Sequence, residues 1–229
     1  MIPRAFEVHV PLERGFVRNV LFAVELLDAV TLERISRDVR VTAEGLEGKP
    51  IVNGSGFFVW LEEDFERLRK LVIDPGRAPY VSVERAKADV KKPLTSIELM
   101  PRLEYSFPSG ITGLLGSLIE QAPPRPQIPI ANAEVWLQWS SLDGRHDAST
   151  VCQTDANGDF VTFIRFSPTD EALLMNENNS LTVRLRVRRD KTDLRTSSEL
   201  QLPLGRIAEP STFPKGIDAL IFAWDELQP

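Results

Sequence analysis

One arrangement of residues occurs twice along this chain of 229 residues, and it constrains the fold more than any single position does. Each copy has a strand-like apolar run, a second short strand, and a glycine turn that leads into an aromatic strand. The first copy is Leu21 to Leu27, Asp28-Ala-Val-Thr31, Val39-Arg-Val-Thr42 and Asn53-Gly-Ser-Gly-Phe-Phe-Val-Trp60. The second is Ile111 to Ile119, Pro129-Ile-Ala-Asn-Ala-Glu-Val-Trp-Leu137 and Thr154-Asp-Ala-Asn-Gly-Asp-Phe-Val161. A supersecondary pattern repeated at this distance predicts two similar domains, and the length suits two units of about a hundred residues each. The expected boundary is Phe107-Pro-Ser-Gly110, where proline fixes one torsion and glycine frees another, giving domains 1–108 and 109–229.

Nearly every apolar stretch has the period of a strand. Val20 to Leu27 and Arg37 to Thr42 are short, rich in β-formers, and end in polar turns. Phe57 to Leu61 is apolar on both faces, as the central strand of a sandwich would be. Glu62 to Lys70 predicts a short helical turn in the first domain, from the spacing of Phe65, Leu68 and Leu71. Tyr80 to Glu84 alternates as a further strand, and Thr95 to Tyr105 reads as the last one, interrupted by Pro101. In the second domain, Leu181, Val183, Leu185 and Val187 share one face of a strand and Arg184, Arg186 and Arg188 the other. Ile217 to Trp224 supplies the closing strand. The fold expected is all-β, two tandem β-sandwiches of transthyretin-like or Ig-like kind.

The second copy carries a family resemblance. Ile130 to Leu137 followed by Thr154-Asp-Ala-Asn-Gly-Asp-Phe160 resembles the carboxypeptidase regulatory-like domain, a transthyretin-like β-sandwich of about seven strands. Asp28-Ala-Val-Thr31, Ile35 to Val41 and Gly56-Phe-Phe58 resemble the same pattern more loosely, so the resemblance spans about residues 20–105 and 110–225. It implies a glycine in a tight turn and a following Phe in the core. For function it implies an accessory or binding module, since the family name refers to position beside a peptidase and no zinc peptidase domain is present. Transthyretin-like hydroxyisourate hydrolases resemble single-domain tetramers ending in Tyr-Arg-Gly-Ser. This chain ends Trp224-Asp-Glu-Leu-Gln-Pro229, so that activity is not expected.

Charge and composition narrow the partners. The net charge is −6; residues 1–108 carry 16 basic and 17 acidic side chains, and residues 109–229 carry 11 and 16. Neither part has the basic excess that nucleic acid would require, so no nucleic acid is expected. No apolar run reaches the roughly 20 residues of a membrane-spanning helix, so no membrane partner is expected either. The start, Met-Ile-Pro-Arg-Ala-Phe, lacks the pattern of an export signal, and the single cysteine, Cys152, cannot form an internal disulfide. Both point to the cytoplasm.

Residues able to do chemistry are scarce. His9 and His146 lie in different repeats, without a second histidine at metal-ligand spacing, and His146 is expected in a polar hairpin loop, Leu142 to Asp147. Cys152 reads as a buried structural thiol. Asp155-Ala-Asn-Gly-Asp159 has oxygen-bearing side chains in alternation, but its glycine falls at the fourth position and no bidentate Glu follows. A β-turn is therefore expected there in place of a calcium loop. No catalytic residue, metal ligand or cofactor is assigned.

Two surface features remain as candidate partner contacts. With Val135, Leu137 and Trp139 facing inward, Trp136 faces outward on the same strand. The stripe Arg184, Arg186, Arg188 suits an acidic partner surface or a solvated face that deters sheet pairing. The function expected is that of a non-catalytic structural or adaptor protein contacting other protein subunits. Tyr105-Ser-Phe-Pro108 at the join is similar to accessory components of phage-tail-like contractile particles. The alternative is a carbohydrate- or peptide-binding module with Trp136 as its stacking platform. Residues 1–19, where Phe6, Val8, Val10 and Leu12 alternate, are expected to add a strand to their own domain or to a neighbouring subunit.

Overall fold

The computed structural model describes residues 20–61, 64–91, 93–122, 126–141, 144–166, 179–190, 192–209 and 220–229. The N-terminal segment 1–19, with its alternating residues and His9, lies outside them. The chain divides into two compact units, Met1–Pro101 and Arg102–Pro229. The sequence places the division seven residues later. Residues 102–108 belong with the second unit because Phe107 packs against Phe163, with ring centroids 6.0 Å apart, and the amide of Gly110 donates to the carbonyl of Gly205.

The first unit contains β1 (Val20–Asp28), β2 (Arg40–Glu44), β3 (Ile51–Val52), β4 (Phe58–Leu61), β5 (Lys70–Asp74), β6 (Val83–Ala86) and β7 (Leu94–Leu99). One sheet has the order β3-β4-β1-β7 and the other β2-β5-β6. β7 runs parallel to β1, and the other pairings are antiparallel. Phe22, Val24 and Leu26 of β1 alternate into a single core with Val41, Ala43, Leu71 and Ile73 of the facing sheet. Phe22 stacks flat on Trp60, centroids 4.6 Å apart, and Phe65 meets Phe22 edge-on. Three successive residues of β4, Phe58, Val59 and Trp60, are buried, as its apolar sequence requires.

The helical segment is a single 3-10 turn, Phe65–Arg67, started by Asp64, whose side chain accepts from the amide of Glu66. It stops there because Leu68 takes an extended conformation and the chain enters β5, where Leu71 is a core residue. β7 ends at Leu99, short of the predicted Tyr105. Pro101 offers no amide to a ladder, and residues 102–105 form a turn closed by the Tyr105 amide on the carbonyl of Arg102.

The second unit contains β8 (Thr112–Ile119), β9 (Glu134–Ser141), β10 (Gly144–Asp147), β11 (Cys152–Gln153), β12 (Asp159–Ile164), β13 (Ser180–Arg188), β14 (Leu194–Thr196), β15 (Leu200–Pro203), β16 (Ile207–Ala208) and β17 (Ile221–Ala223). A six-stranded sheet runs β10-β9-β13-β14, with β11 also on β9 and β15 also on β13. It faces a four-stranded sheet in which β8 pairs with β12, β16 and β17. Leu114 and Leu118 of β8 share one core with Val135, Leu137 and Trp139 of β9 and with Leu181, Val183, Leu185 and Val187 of β13.

The repeat read from the sequence is a repeat of topology. β4 is antiparallel to β1 as β12 is to β8, and β7 is parallel to β1 as β16 and β17 are to β8. In the facing sheets, β2-β5-β6 corresponds to β9-β13 with β14 and β15.

The turn before the aromatic strand is reproduced bond for bond. Asp155 Oδ1 accepts from the amides of Asn157 at 2.8 Å and Asp159 at 2.9 Å, while Asn53 Oδ1 accepts from Ser55 at 3.0 Å and Phe57 at 2.9 Å. In each turn the glycine amide donates to the carbonyl three residues earlier, and the first residue donates to the carbonyl four residues on. Gly56 and Gly158 have φ of +83° and +78°. The Phe that follows, Phe58 or Phe160, is buried in its own core.

The copies differ in two respects. β3 pairs with β4 in the aromatic sheet, whereas β11 joins β9 in the opposite one. Thr154 also ties its turn to the preceding loop, donating through Oγ1 to the carbonyl of Ile130 and accepting from the amide of Ala133. At the chain's end, β17 lies on β8 while Gln228 exchanges two hydrogen bonds with Thr196 of β14. The last ten residues thereby link the two sheets of the second unit.

The two turn glycines differ in what surrounds them. A Cβ on Gly158 would lie 2.4 Å from the carbonyl oxygen of Leu118, which is fixed backbone, whereas one on Gly56 would meet the Arg34 side chain at 3.0 Å. Gly158→Ala is expected to lower unfolding stability by about 3 kcal/mol and Gly56→Ala by about 1 kcal/mol. Urea unfolding of the two variants measures this, and equal losses would show that backbone clearance is not what selects glycine at 158.

Candidate contact face on the six-stranded sheet

Inward orientation of Val135, Leu137 and Trp139 leaves Glu134, Trp136, Gln138 and Ser140 on the outer face of β9. Pairing with β13 then fixes their neighbours. Arg184 lies opposite Gln138, Arg186 opposite Trp136, and Arg188 opposite Glu134, so each pair shares that face. On the other side Asp147 of β10 lies opposite Gln138, and Arg145 opposite Ser140. Every candidate contact residue named from the sequence therefore belongs to one surface.

Trp136 points outward as expected, but it is not an open platform. Only 9% of it is exposed. The guanidinium carbons of Arg186 and Arg188 lie 5.8 and 5.6 Å from the ring centroid, and the indole nitrogen donates to Asp147 Oδ1 at 3.2 Å. The aliphatic stems of arginine cover apolar area while the charged heads stay near water, so a stripe of arginines hides a tryptophan well.

The three arginines of β13 are not equivalent. Arg184 donates to Glu199 at 2.9 Å, and Arg188 pairs with Glu134. Among the described residues Arg186 has no carboxylate partner, and its Nε is buried without an acceptor. Glu134, Gln138, Asp147 and Glu199 are among the members of this face that sequence reading did not single out. Alternation along β9 would have given the first two. Asp147 and Glu199 come from other segments and are located only by the pairing.

His146 lies on β10 and not in the hairpin loop, because the ladder with β9 runs from Asp147 back to Gly144. Its ring stacks on Trp139 with centroids 4.5 Å apart, and Nε2 lies 2.8 Å from Ser141 Oγ. Residues 142–143, and residues 123–125 of the proline-rich run Ala122-Pro-Pro-Arg-Pro-Gln-Ile-Pro129, lie outside the described residues. Asp155 spends its side chain on two amides of its own turn, as the β-turn reading requires. Among the described residues no group of three or more His, Cys, Asp or Glu is placed to hold a metal ion, and no helix is long and apolar enough to cross a membrane.

No family model matches the chain, and no curated protein matches it. Three solved structures are similar in part. A Streptococcal ancillary pilin gives a TM-score of 0.26 at 8% identity, covering 82% of this chain and 61% of that one. The TIE protein of Bacillus anthracis gives 0.25 at 9%, covering 83% and 33%, and GBS52, the minor pilin of Streptococcus agalactiae, gives 0.24 at 6%, covering 82% and 93%. The chain thus spans about three fifths of the first and one third of the second. TM-scores of this size do not assign the chain to those proteins' families; the all-β architecture rests on its own ladders. None of the three is a phage-tail component.

Burial decides the behaviour of Cys152. Its thiol is pushed up to about 12 from an ordinary 9.0, chiefly by desolvation, with the Thr162 hydroxyl pulling weakly the other way. The native thiol should react with a disulfide reagent at pH 8 about a thousandfold more slowly than in the unfolded chain. The shift also has a sign in stability. With the folded value above the unfolded one, this contribution is complete below pH 9.0 and is lost as pH rises toward 12, by about 1.4 kcal/mol per pH unit. Tyr80, raised by burial and by its hydrogen bond to Asp28, acts in the same direction. Thiol titration with and without urea, and urea unfolding at pH 8 and 10.5, check both; a fast-reacting native thiol would refute the burial argument.

Proposed function

We propose that this chain is a non-catalytic structural or adaptor protein that contacts other protein subunits through the outer face of its six-stranded sheet. One observation carries the reading: on the outer face of the six-stranded sheet a tryptophan stands beside an arginine that has no carboxylate partner among the described residues. Aromatic and arginine side chains concentrate binding energy at protein interfaces, and here both are held in place by pairing across β9 and β13. In finer detail, the units are read as transthyretin-like sandwiches, the second of carboxypeptidase regulatory-like kind. The repeated turn and the Thr154 tether support this. Nucleic acid, membrane and cofactor are left out of the proposal, and the cytoplasm is kept as the site of assembly, since the lone cysteine leaves no internal disulfide to form.

The carbohydrate reading is disfavoured by Trp136 itself. A sugar needs an open aromatic face, and this ring is covered by two guanidinium groups and tied to Asp147.

Affinity capture of the tagged full-length protein from its native lysate, followed by mass spectrometry, tests the proposal. A stoichiometric set of co-purifying subunits is expected. A monomer that brings nothing with it would overturn the reading.

A further inference from the structure

The tight turn that precedes each aromatic strand contains the dipeptide Asn-Gly, but at different positions. In the first copy Asn53 opens the turn and Gly54 follows, whereas in the second Asp155 opens it and Asn157-Gly158 takes the third and fourth places. Asparagine is a thermolabile residue, and a glycine after it removes the side chain that would obstruct approach of the next backbone nitrogen to the asparagine Cγ. The surroundings of the two glycines decide which pair reacts.

Gly54 is exposed, and a Cβ placed on it would meet nothing within 4 Å. Among the described residues its amide donates to no acceptor. Asn53 Oδ1 is held by the amides of Ser55 and Phe57, and an oxygen that reaches the amide two residues on brings its carbon back alongside the intervening Gly54 nitrogen. Negative charge develops on that same oxygen when a nitrogen adds to Cγ, so two backbone donors already aimed at it act as an oxyanion hole. Arg34 donates to the carbonyl of Ser55 and lies over the Phe57 ring at 4.1 Å, which keeps the turn closed. Gly158 is placed in the opposite way. It is buried, its amide donates to the carbonyl of Asp155 at 3.0 Å, and its carbonyl accepts from the amide of Leu118 at 2.8 Å. Base does not reach that nitrogen, and the nitrogen cannot leave its hydrogen bond without opening the turn.

We infer that Asn53 is a site of spontaneous covalent modification, independent of the contact role proposed above, and that Asn157 is protected by its turn. Base removes the Gly54 amide proton and the nitrogen attacks Cγ, so the N–Cγ bond forms and the Cγ–Nδ2 bond breaks. The side-chain nitrogen takes up a proton and leaves as ammonia, and a five-membered succinimide remains. Water then opens the ring at either of its carbonyls. Attack at Cγ leaves an aspartate, whose oxygen keeps both hydrogen bonds as Asp155 does in the second copy. Attack at the main-chain carbonyl leaves an isoaspartate, in which the chain runs through Cβ and Cγ and gains a backbone carbon. Both products add a negative charge, and the isoaspartate takes Phe58 out of its register with Val24.

The test incubates the full-length protein at pH 8, with and without urea, and maps its peptides by mass spectrometry for amide converted to acid. In the folded protein Asn53 is expected to convert about tenfold or more faster than Asn157, and in urea, where neither turn persists, the two rates converge. Isoaspartate should appear at position 53 by enzymatic methylation. Gly54→Ala, which the open space around that residue accommodates, should slow conversion of Asn53 about tenfold with unchanged urea unfolding. Three results would overturn the inference: conversion of Asn157 as fast as that of Asn53 or faster in the folded protein, an Asn53 that reacts in urea but stays unconverted in the folded protein, or undiminished conversion of Asn53 in Gly54→Ala.

Discussion

The side-chain oxygen of Asp155 holds two backbone amides two and four residues ahead, and the order of the second unit follows from that contact. It folds five residues into a turn tight enough that one of them, Gly158, must adopt positive φ beside the Leu118 carbonyl. The chain then leaves in register with β8, and Phe160 enters the core. Asn53 does the same for β1 and Phe58. An amide oxygen and a carboxylate oxygen are interchangeable here because both accept hydrogen bonds, which is why the turn survives in both copies although few of its residues are identical.

The contact face depends on a different constraint, the period of two along a strand. Burying Leu181, Val183, Leu185 and Val187 forces Arg184, Arg186 and Arg188 outward, and burying Val135, Leu137 and Trp139 forces Trp136 outward beside them. Core packing therefore assembles the surface cluster. The surface ion pairs around it add little to stability, each contributing from a few tenths to about 1 kcal/mol. Their effect is to occupy Arg184 and Arg188.

How much of this was legible in the sequence varies from element to element. Most strands of both cores, the turn at Asp155, the burial of Cys152 and the outward direction of Trp136 and the arginines follow from local pattern and from residues adjacent in the chain; β14, β15 and β16, which bring Leu202 and Ala208 to the core, do not. The helical turn was visible in position but not in length, since Leu68 and Leu71 have helical spacing yet serve a strand. His146 was misplaced because a polar tetrapeptide, Gly-Arg-His-Asp, gives no sign of pairing when its partner strand supplies the apolar face. The boundary fell seven residues late because Phe107 is held by Phe163, a contact 56 positions away.

By itself the sequence determined that the chain is built of strands, that the pattern occurs twice, and which residues of β9 and β13 face a core. Those are consequences of side-chain period and turn chemistry, which act over a few residues. Only the tertiary structure decided which strands are neighbours, and so which carboxylate meets which arginine. Register between β9, β10 and β13 placed Asp147 on the indole of Trp136 and Glu134 on Arg188, and among the described residues it placed no carboxylate on Arg186. Residues 11 and 54 positions apart are brought together by these ladders, and the difference between an open tryptophan and a covered one depends on them.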